Sequence, residues 1–280
     1  MQIIDAQVHL WRHGQSTGHH RKTPITVEIL QQEMARAGVD RVLLVPPLWD
    51  PTGNATALEA AQRYPDQFAV MGLLPVDGLD SDTGRAQVLN WKRHRGMVGL
   101  RFLFNSPERI APLRAGTLEW TWPAAEEAGL AVALLVPDAL DAAADIAERH
   151  PRLNLIVDHL GVPRGASGPS AFHHLPELLA LSRFPNVVVK AVAVCDYALD
   201  PFPFRSLNEV LRRIVDAFGP HRILWGSDLS RLKHSYRDCV MHFAESLTWL
   251  SERDRALIMG QNLCRVTGWD ALQPVATGAS

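Results

Sequence analysis

Five short stretches of this chain join an apolar run to a polar residue able to do chemistry. IIDAQVHLW places Asp5, Gln7 and His9 two residues apart, NLIVDHLG ends in Asp158 and His159, and RILWGSD ends in Ser227 and Asp228. Arg101 sits within VGLRF, and Lys190 within NVVVKAV. A carboxylate beside imidazoles can take a proton from water, and the same groups can hold a divalent cation. An arginine fork suits a carboxylate on a small molecule. Each residue also has a plainer reading. His9 can be a satisfied core histidine, His159 can hold a loop carbonyl, and Asp228 can cap the segment that follows it. Arg101 can pair with a core carboxylate such as Asp5, and Lys190 can snorkel to a rim. Several polar residues converging on one place are harder to explain that way, because buried charge is costly unless it is paired or used.

Such convergence needs a scaffold. Eight β-branched, apolar runs recur: Ile3–His9, Arg41–Pro47, Phe68–Val76, Val98–Phe104, Leu130–Val136, Leu153–Gly161, Asn186–Val194 and Arg222–Ser230. Their starts lie 23–38 residues apart, the spacing of repeated strand-loop-helix units. Near-continuous apolarity predicts parallel strands covered on both faces. Between them lie helical patterns with ends: Thr26 as cap and Gly38 as stop, Asp138 as cap with Pro151 as stop, and Asn54 and Ser251 as further caps. The turn after the first strand, HLWRHGQSTGHH, lacks the GxGxxG of a doubly wound sheet. The expectation is an α/β fold, a single (β/α)8 TIM barrel spanning residues 1–280, with its site at the C-terminal strand ends. Strict alternation would put Asp5, Gln7 and His9 together on the barrel interior.

Charge narrows the partners. A formal net charge of −2 and a sequence pI near 6.6 give no general attraction to nucleic acid or to an anionic membrane. Three well-separated cysteines make neither a disulfide framework nor a zinc knuckle, and the opening MQIIDAQVHLW does not read as a secretory leader. A cytoplasmic protein with a small-molecule substrate is expected, and a homodimer is possible. Locally the balance differs. Arg12 to Lys22 holds Arg12, His13, His19, His20, Arg21 and Lys22 and no acid, and Arg231, Lys233 and His234 follow the last strand. Loops of this kind attract a small anion, unless they are simply solvated or bind metal adventitiously.

IIDAQVHLW, VGLRF, NLIVDHLGVP, NVVVKAVAV, RILWGSDLS and the terminal GQNLCRVTGW together resemble the amidohydrolase-related (amidohydrolase family 2) barrels, above all their sugar-lactone and 2-pyrone-4,6-dicarboxylate lactonases. The likeness keeps its order from the first strand to the last helix. It implies a hydrolase whose strand-1 histidines, a further strand histidine and strand-8 aspartate can bind one divalent metal. Here Gln7 replaces the first of those histidines, and strand 5 carries only Leu134 and Leu135. A neutral amide is a poor zinc ligand. The expectation is therefore that no cofactor is required. The alternative is one weakly held Zn²⁺ or Mn²⁺ on His9, His159 and Asp228.

By resemblance and placement together, the expected reaction is ring opening of a small, anionic lactone. Asp228 is the general base, His9 and His159 polarise the carbonyl with Gln7 as a further donor, and Arg101 with Lys190 holds a substrate carboxylate. Trp11, Trp49 and Phe104 offer apolar surface or plain packing. The pyrone-dicarboxylate lactonases carry an arginine shortly after the DHLG-like histidine; Val162 stands there here, with Arg164 two residues on. That loss disfavours the pyrone dicarboxylate itself. The rivals are a metal-dependent decarboxylase of a small unsaturated or aromatic acid, and a non-catalytic binder of small anions.

Overall fold

Eight parallel strands pair in chain order: β1 (Ile4–Val8), β2 (Arg41–Leu44), β3 (Phe68–Leu73), β4 (Met97–Leu103), β5 (Ala131–Leu135), β6 (Leu155–Val157), β7 (Val187–Val192) and β8 (Ile223–Gly226). The computed structural model describes residues 1–16, 18–74 and 80–269. Helices α1 (Val27–Ala37), α2 (Gly53–Arg63), α3 (Ser81–Leu89), α4 (Pro107–Arg114), α5 (Thr121–Glu127), α6 (Leu140–Arg149), α7 (Leu175–Ala180) and α8 (Asn208–Phe218) lie between strands; α9 (Tyr236–Met241), α10 (Glu252–Ala256) and α11 (Asn262–Thr267) follow β8. This is the expected TIM barrel. Among the described residues no helix is long and apolar enough to cross a membrane.

Two apolar layers hold it together. Inside, Ile4, Leu43, Ala69, Met71, Ala131, Ala133, Ile156, Val188 and Leu224 pack against one another, and Leu263 and Val266 of α11 with Trp269 join them. Alanines alternate with branched side chains there because the bore is narrow. A Cβ on Gly99 would come within 2.6 Å of the Met71 sulfur. Outside, Val42, Leu44, Val70, Leu100, Val132, Leu155, Val189 and Trp225 meet the helices. A buried aliphatic side chain contributes about 1.5–3 kcal/mol, so the two layers dominate stability and leave the strand ends open to polar residues.

Strand 1 departs from strict alternation. Its register with β2 shifts between Asp5 and Val8, the mark of a bulge. Ile4 faces the bore, and Asp5 turns outward, where its carboxylate accepts from Tyr236 Oη of α9 at 2.7 Å and from Ser227 N at 2.9 Å. The extra residue restores Gln7 and His9 to the interior. Asp5 therefore belongs to the seam between β1 and β8, where Asp228 N also donates to Gln7 O at 2.9 Å. Burial raises the Asp5 carboxyl to about 6 against these donors.

Thr26 and Ser251 cap as expected, Ser251 in a box with Asp254, and Gly38 ends α1 at φ 79°. Asp138 does not cap: α6 starts at Leu140 after Ala139 with no side-chain cap. Asn54 lies within α2, and its amide exchanges two hydrogen bonds with the Leu73 backbone at 2.7 and 2.9 Å, clamping the end of β3. The strands are shorter than the apolar runs, and residues 75–76 of the third run lie outside the described residues.

Candidate active site

Beyond three of the strands the backbone turns sharply. His159 and Leu160 after β6, Ala193 after β7 and Asp228 after β8 all adopt φ between 51° and 55°. Left-handed backbone is unfavourable for residues with a Cβ, and it persists where surrounding structure enforces it. Two of the four are the residues whose chemistry matters most. DHLG is thus a turn in which Asp158 points into the barrel and His159 stands at the mouth.

Asp228 is 2% exposed, and three imidazoles surround it. His9 Nε2 lies 3.2 Å from Oδ1, His19 Nδ1 3.9 Å from Oδ1, and His159 Nε2 3.8 Å from Oδ2. His9 Nδ1 is 2.6 Å from Val45 O, and a carbonyl only accepts, so that nitrogen carries the proton. That contact turns His9 Nε2 toward Asp228 Oδ1. His19 is held from two sides: its backbone N donates to Ser16 Oγ at 3.1 Å, and its Nδ1 meets Ser230 Oγ at 2.7 Å. Ligand atoms of His9, His19 and Asp228 all lie within 4.8 Å of one another.

Titration follows burial. Burial lowers His159 to about 3, helped by the Arg231 charge, and lowers His19 to about 4 against the pull of Asp228. Burial works against the Asp228 charge, but His19, His9 and His159 hold its carboxyl well below the usual range. Imidazole nitrogens gathered around an ionised carboxylate are donors of the kind that can hold a divalent metal.

Deeper in the bore lies a second polar layer. Arg101 Nε donates to Asp158 Oδ2 at 2.6 Å, and Lys190 Nζ lies 3.1 Å from Asp158 Oδ1 and donates to Gln7 Oε1 at 3.1 Å. Burial opposes the Asp158 charge, yet Lys190 and Arg101 keep its carboxyl below the ordinary value; burial pulls the Lys190 ammonium down. Arg101 is 4% exposed and lines a cavity of about 510 Å³ among the loops after β2 to β4, with Pro46, Leu48, Phe104, Arg109 and Leu118. His9, His19 and Asp228 do not line it.

The structure brings Asp228, His9, His159 and Gln7 together and places Arg101 and Lys190 beneath them. Trp49 forms one wall, its ring 5.5 Å from His9 and 4.9 Å from His19. Trp11 is buried against Trp49 at 5.6 Å and offers the mouth no surface. Arg164 is exposed and reaches across to Gly18, where an added Cβ would meet its guanidinium. His19 and Arg231 were legible only as loop charges. No spacing links a loop ten residues past β1 to the end of β8; the signal was the acid-free, histidine-rich composition of that loop.

The sequence profile of the amidohydrolase family matches residues 4–266. The chain belongs to the amidohydrolase family. It is a hydrolase-class enzyme. It is 27% identical, over 93% of both chains, to the L-fucono-1,5-lactonase of Burkholderia ambifaria. An amidohydrolase from Burkholderia multivorans solved with bound zinc superposes with a TM-score of 0.77 at 21% identity, covering 96% of this chain and 99% of that one. A putative 2-pyrone-4,6-dicarboxylic acid hydrolase from Pseudomonas putida gives 0.72 at 22% identity, over 96% and 98%. The expectation that no cofactor is required is overturned by the His9–His19–Asp228 cluster, in a fold shared with a zinc-bound amidohydrolase. The expected alternative of one divalent metal drew on His9, His159 and Asp228; the cluster of closest ligand atoms is His9, His19 and Asp228.

Proposed function

We propose that this amidohydrolase opens a small lactone bearing an anionic group, at the centre formed by His9, His19 and Asp228. One observation carries the reading: a buried, ionised Asp228 whose Oδ1 has no hydrogen-bond donor faces two ring nitrogens across a gap that a cation fits. The lactonase relative and the pyrone hydrolase neighbour support ring opening as the reaction.

His9, His19 and Asp228 would hold one divalent ion. Such an ion supplies Lewis-acid polarisation of the ring carbonyl and acidifies bound water. The protein's own part is then specific. Asp228 Oδ2 takes the proton of the attacking water, whose oxygen adds to the ring carbonyl carbon. The carbonyl π pair moves onto oxygen, and its return breaks the ring C–O bond. The departing oxygen leaves as a protonated hydroxyl with the proton Asp228 held, and a carboxylic acid remains. His9 Nδ1 is engaged by Val45 O, which leaves Nε2 as the ring nitrogen facing Asp228. His159 offers a buried Nδ1 with no partner in the protein. Arg101 spends Nε on Asp158, and its remaining guanidinium nitrogens receive the substrate's carboxylate from the cavity side.

Purified protein stripped with chelator and assayed by proton release on sugar, muconate-type and aromatic-derived lactones tests this, with metal content measured on the same sample. Activity lost on stripping, restored by Zn²⁺ or Mn²⁺ and reduced at least about 10²-fold in Asp228→Asn is expected. No turnover of any lactone in the metal-loaded protein overturns it and points to decarboxylation of a carboxylic acid.

A further inference from the structure

Gln7 stands where the family's metal-binding histidine was expected, and the structure gives that amide a defined direction. Lys190 Nζ is fully buried and can only donate, so its contact at 3.1 Å fixes the Gln7 oxygen toward it. The Gln7 nitrogen must then face His159 Nε2, 3.0 Å away. An amide nitrogen donates and does not accept, so His159 Nε2 is the acceptor. Its lone pair is consumed in the protein interior. A neutral His159 therefore carries its proton on Nδ1, and that atom is buried without a partner.

We infer that Lys190 and Gln7 form a tautomer lock that keeps His159 out of the metal ligand set and turns it into a neutral Nδ1–H donor for the substrate. The donor role rests on the proposed lactone reaction; the lock itself does not. It also agrees with the proposed ligand set of His9, His19 and Asp228. His19, from the loop after β1, would supply the third donor, its ring lying 5.3 Å from that of His9. Asp158 completes the device by holding Lys190 at 3.1 Å from its other side, and Arg101 anchors Asp158 at 2.6 Å. Lys190 thus acts through Gln7 and His159 as a positioning residue, with those two side chains between it and the substrate.

Histidine-selective ¹⁵N labelling of the full-length protein tests the lock without a substrate, with the His159 signals assigned by their loss in His159→Gln. At neutral pH the wild type is expected to show a protonated, pyrrole-type Nδ1 and an unprotonated, pyridine-type Nε2, unchanged when Zn²⁺ is titrated in. Protonation at Nε2, or a zinc-induced shift at that atom, overturns the proposal. Gln7→Glu replaces the donor by an acceptor and is expected to move the proton to Nε2, with kcat on the best lactone falling more than tenfold while KM changes less than threefold. A folded Gln7→Glu protein that keeps the wild-type ¹⁵N pattern also overturns it. If Gln7→Glu does not fold, the wild-type spectrum alone decides. A correct spectrum with no lactone turned over would leave the lock standing and remove the lactonase reading.

Discussion

At the residue scale the site divides by depth. In the proposed reaction Asp228, His9 and His19 form the reacting layer, and Arg101, Asp158 and Lys190 form a buried charged layer below it. The two positive charges on one carboxylate are tolerable because they are paired, and removing either partner would strand a buried charge at a cost of about 3–5 kcal/mol. Arg101→Lys is the gentler probe. It keeps the charge that Asp158 needs and removes the fork that faces the cavity. For carboxylate-bearing lactones KM is expected to rise roughly 10- to 100-fold, the loss of one charge-assisted contact, with KM for uncharged sugar lactones changed little. Steady-state kinetics on matched pairs reads this directly. An equal rise for both classes would show that Arg101 holds no substrate anion.

At the element scale, loops are placed by side chains that replace regular pairing. Asp50 accepts hydrogen bonds from Arg12 N, His13 N and Thr52 N, which pins the loop carrying His19 to the end of β2. Burial alone would raise its carboxyl, but those donors hold it at about 2. Asn54 does for β3 what Asp50 does for β1. Asn54→Ala removes both hydrogen bonds to the Leu73 backbone and leaves that N–H and C=O without them. A loss of about 2 kcal/mol in unfolding free energy is expected, read from urea midpoints with unchanged slope. A loss below about 0.5 kcal/mol would show that water replaces the clamp.

At the scale of the whole molecule, His242 links folding to pH. It is fully buried, its Nδ1 donates to Pro203 O at 2.9 Å, and its Nε2 has no partner. Burial lowers it to about 4, against about 6.5 in an unfolded chain. The unfolded state therefore takes up the proton first as pH falls. The contribution is complete above about pH 6.5 and is lost between there and about pH 4, up to roughly 3 kcal/mol. His242→Asn keeps a donor for Pro203 O and has nothing to titrate. Its stability is expected to depend less steeply on pH across that window, by up to one proton in the urea-derived slope. Parallel slopes for variant and wild type would remove His242 from the acid response.

Periodicity and residue type alone determined the barrel, its eight strands and the ends at which Asp228, His9, His159, Arg101 and Lys190 sit, because the alternation of apolar runs with capped helices is local information. The partners of those residues were not local. Strict alternation put Asp5 in the bore, and one bulged residue turned it to the β1–β8 seam. Gln7 read as a missing ligand, and only its contacts with Lys190 and His159, 183 and 152 residues away in sequence, assign it a direction. His19 entered the centre through a loop held by Ser16 and Ser230, a placement no pattern encodes. Strand ends follow from side-chain period; which atoms meet across the mouth follows from barrel closure, and closure exists only in three dimensions.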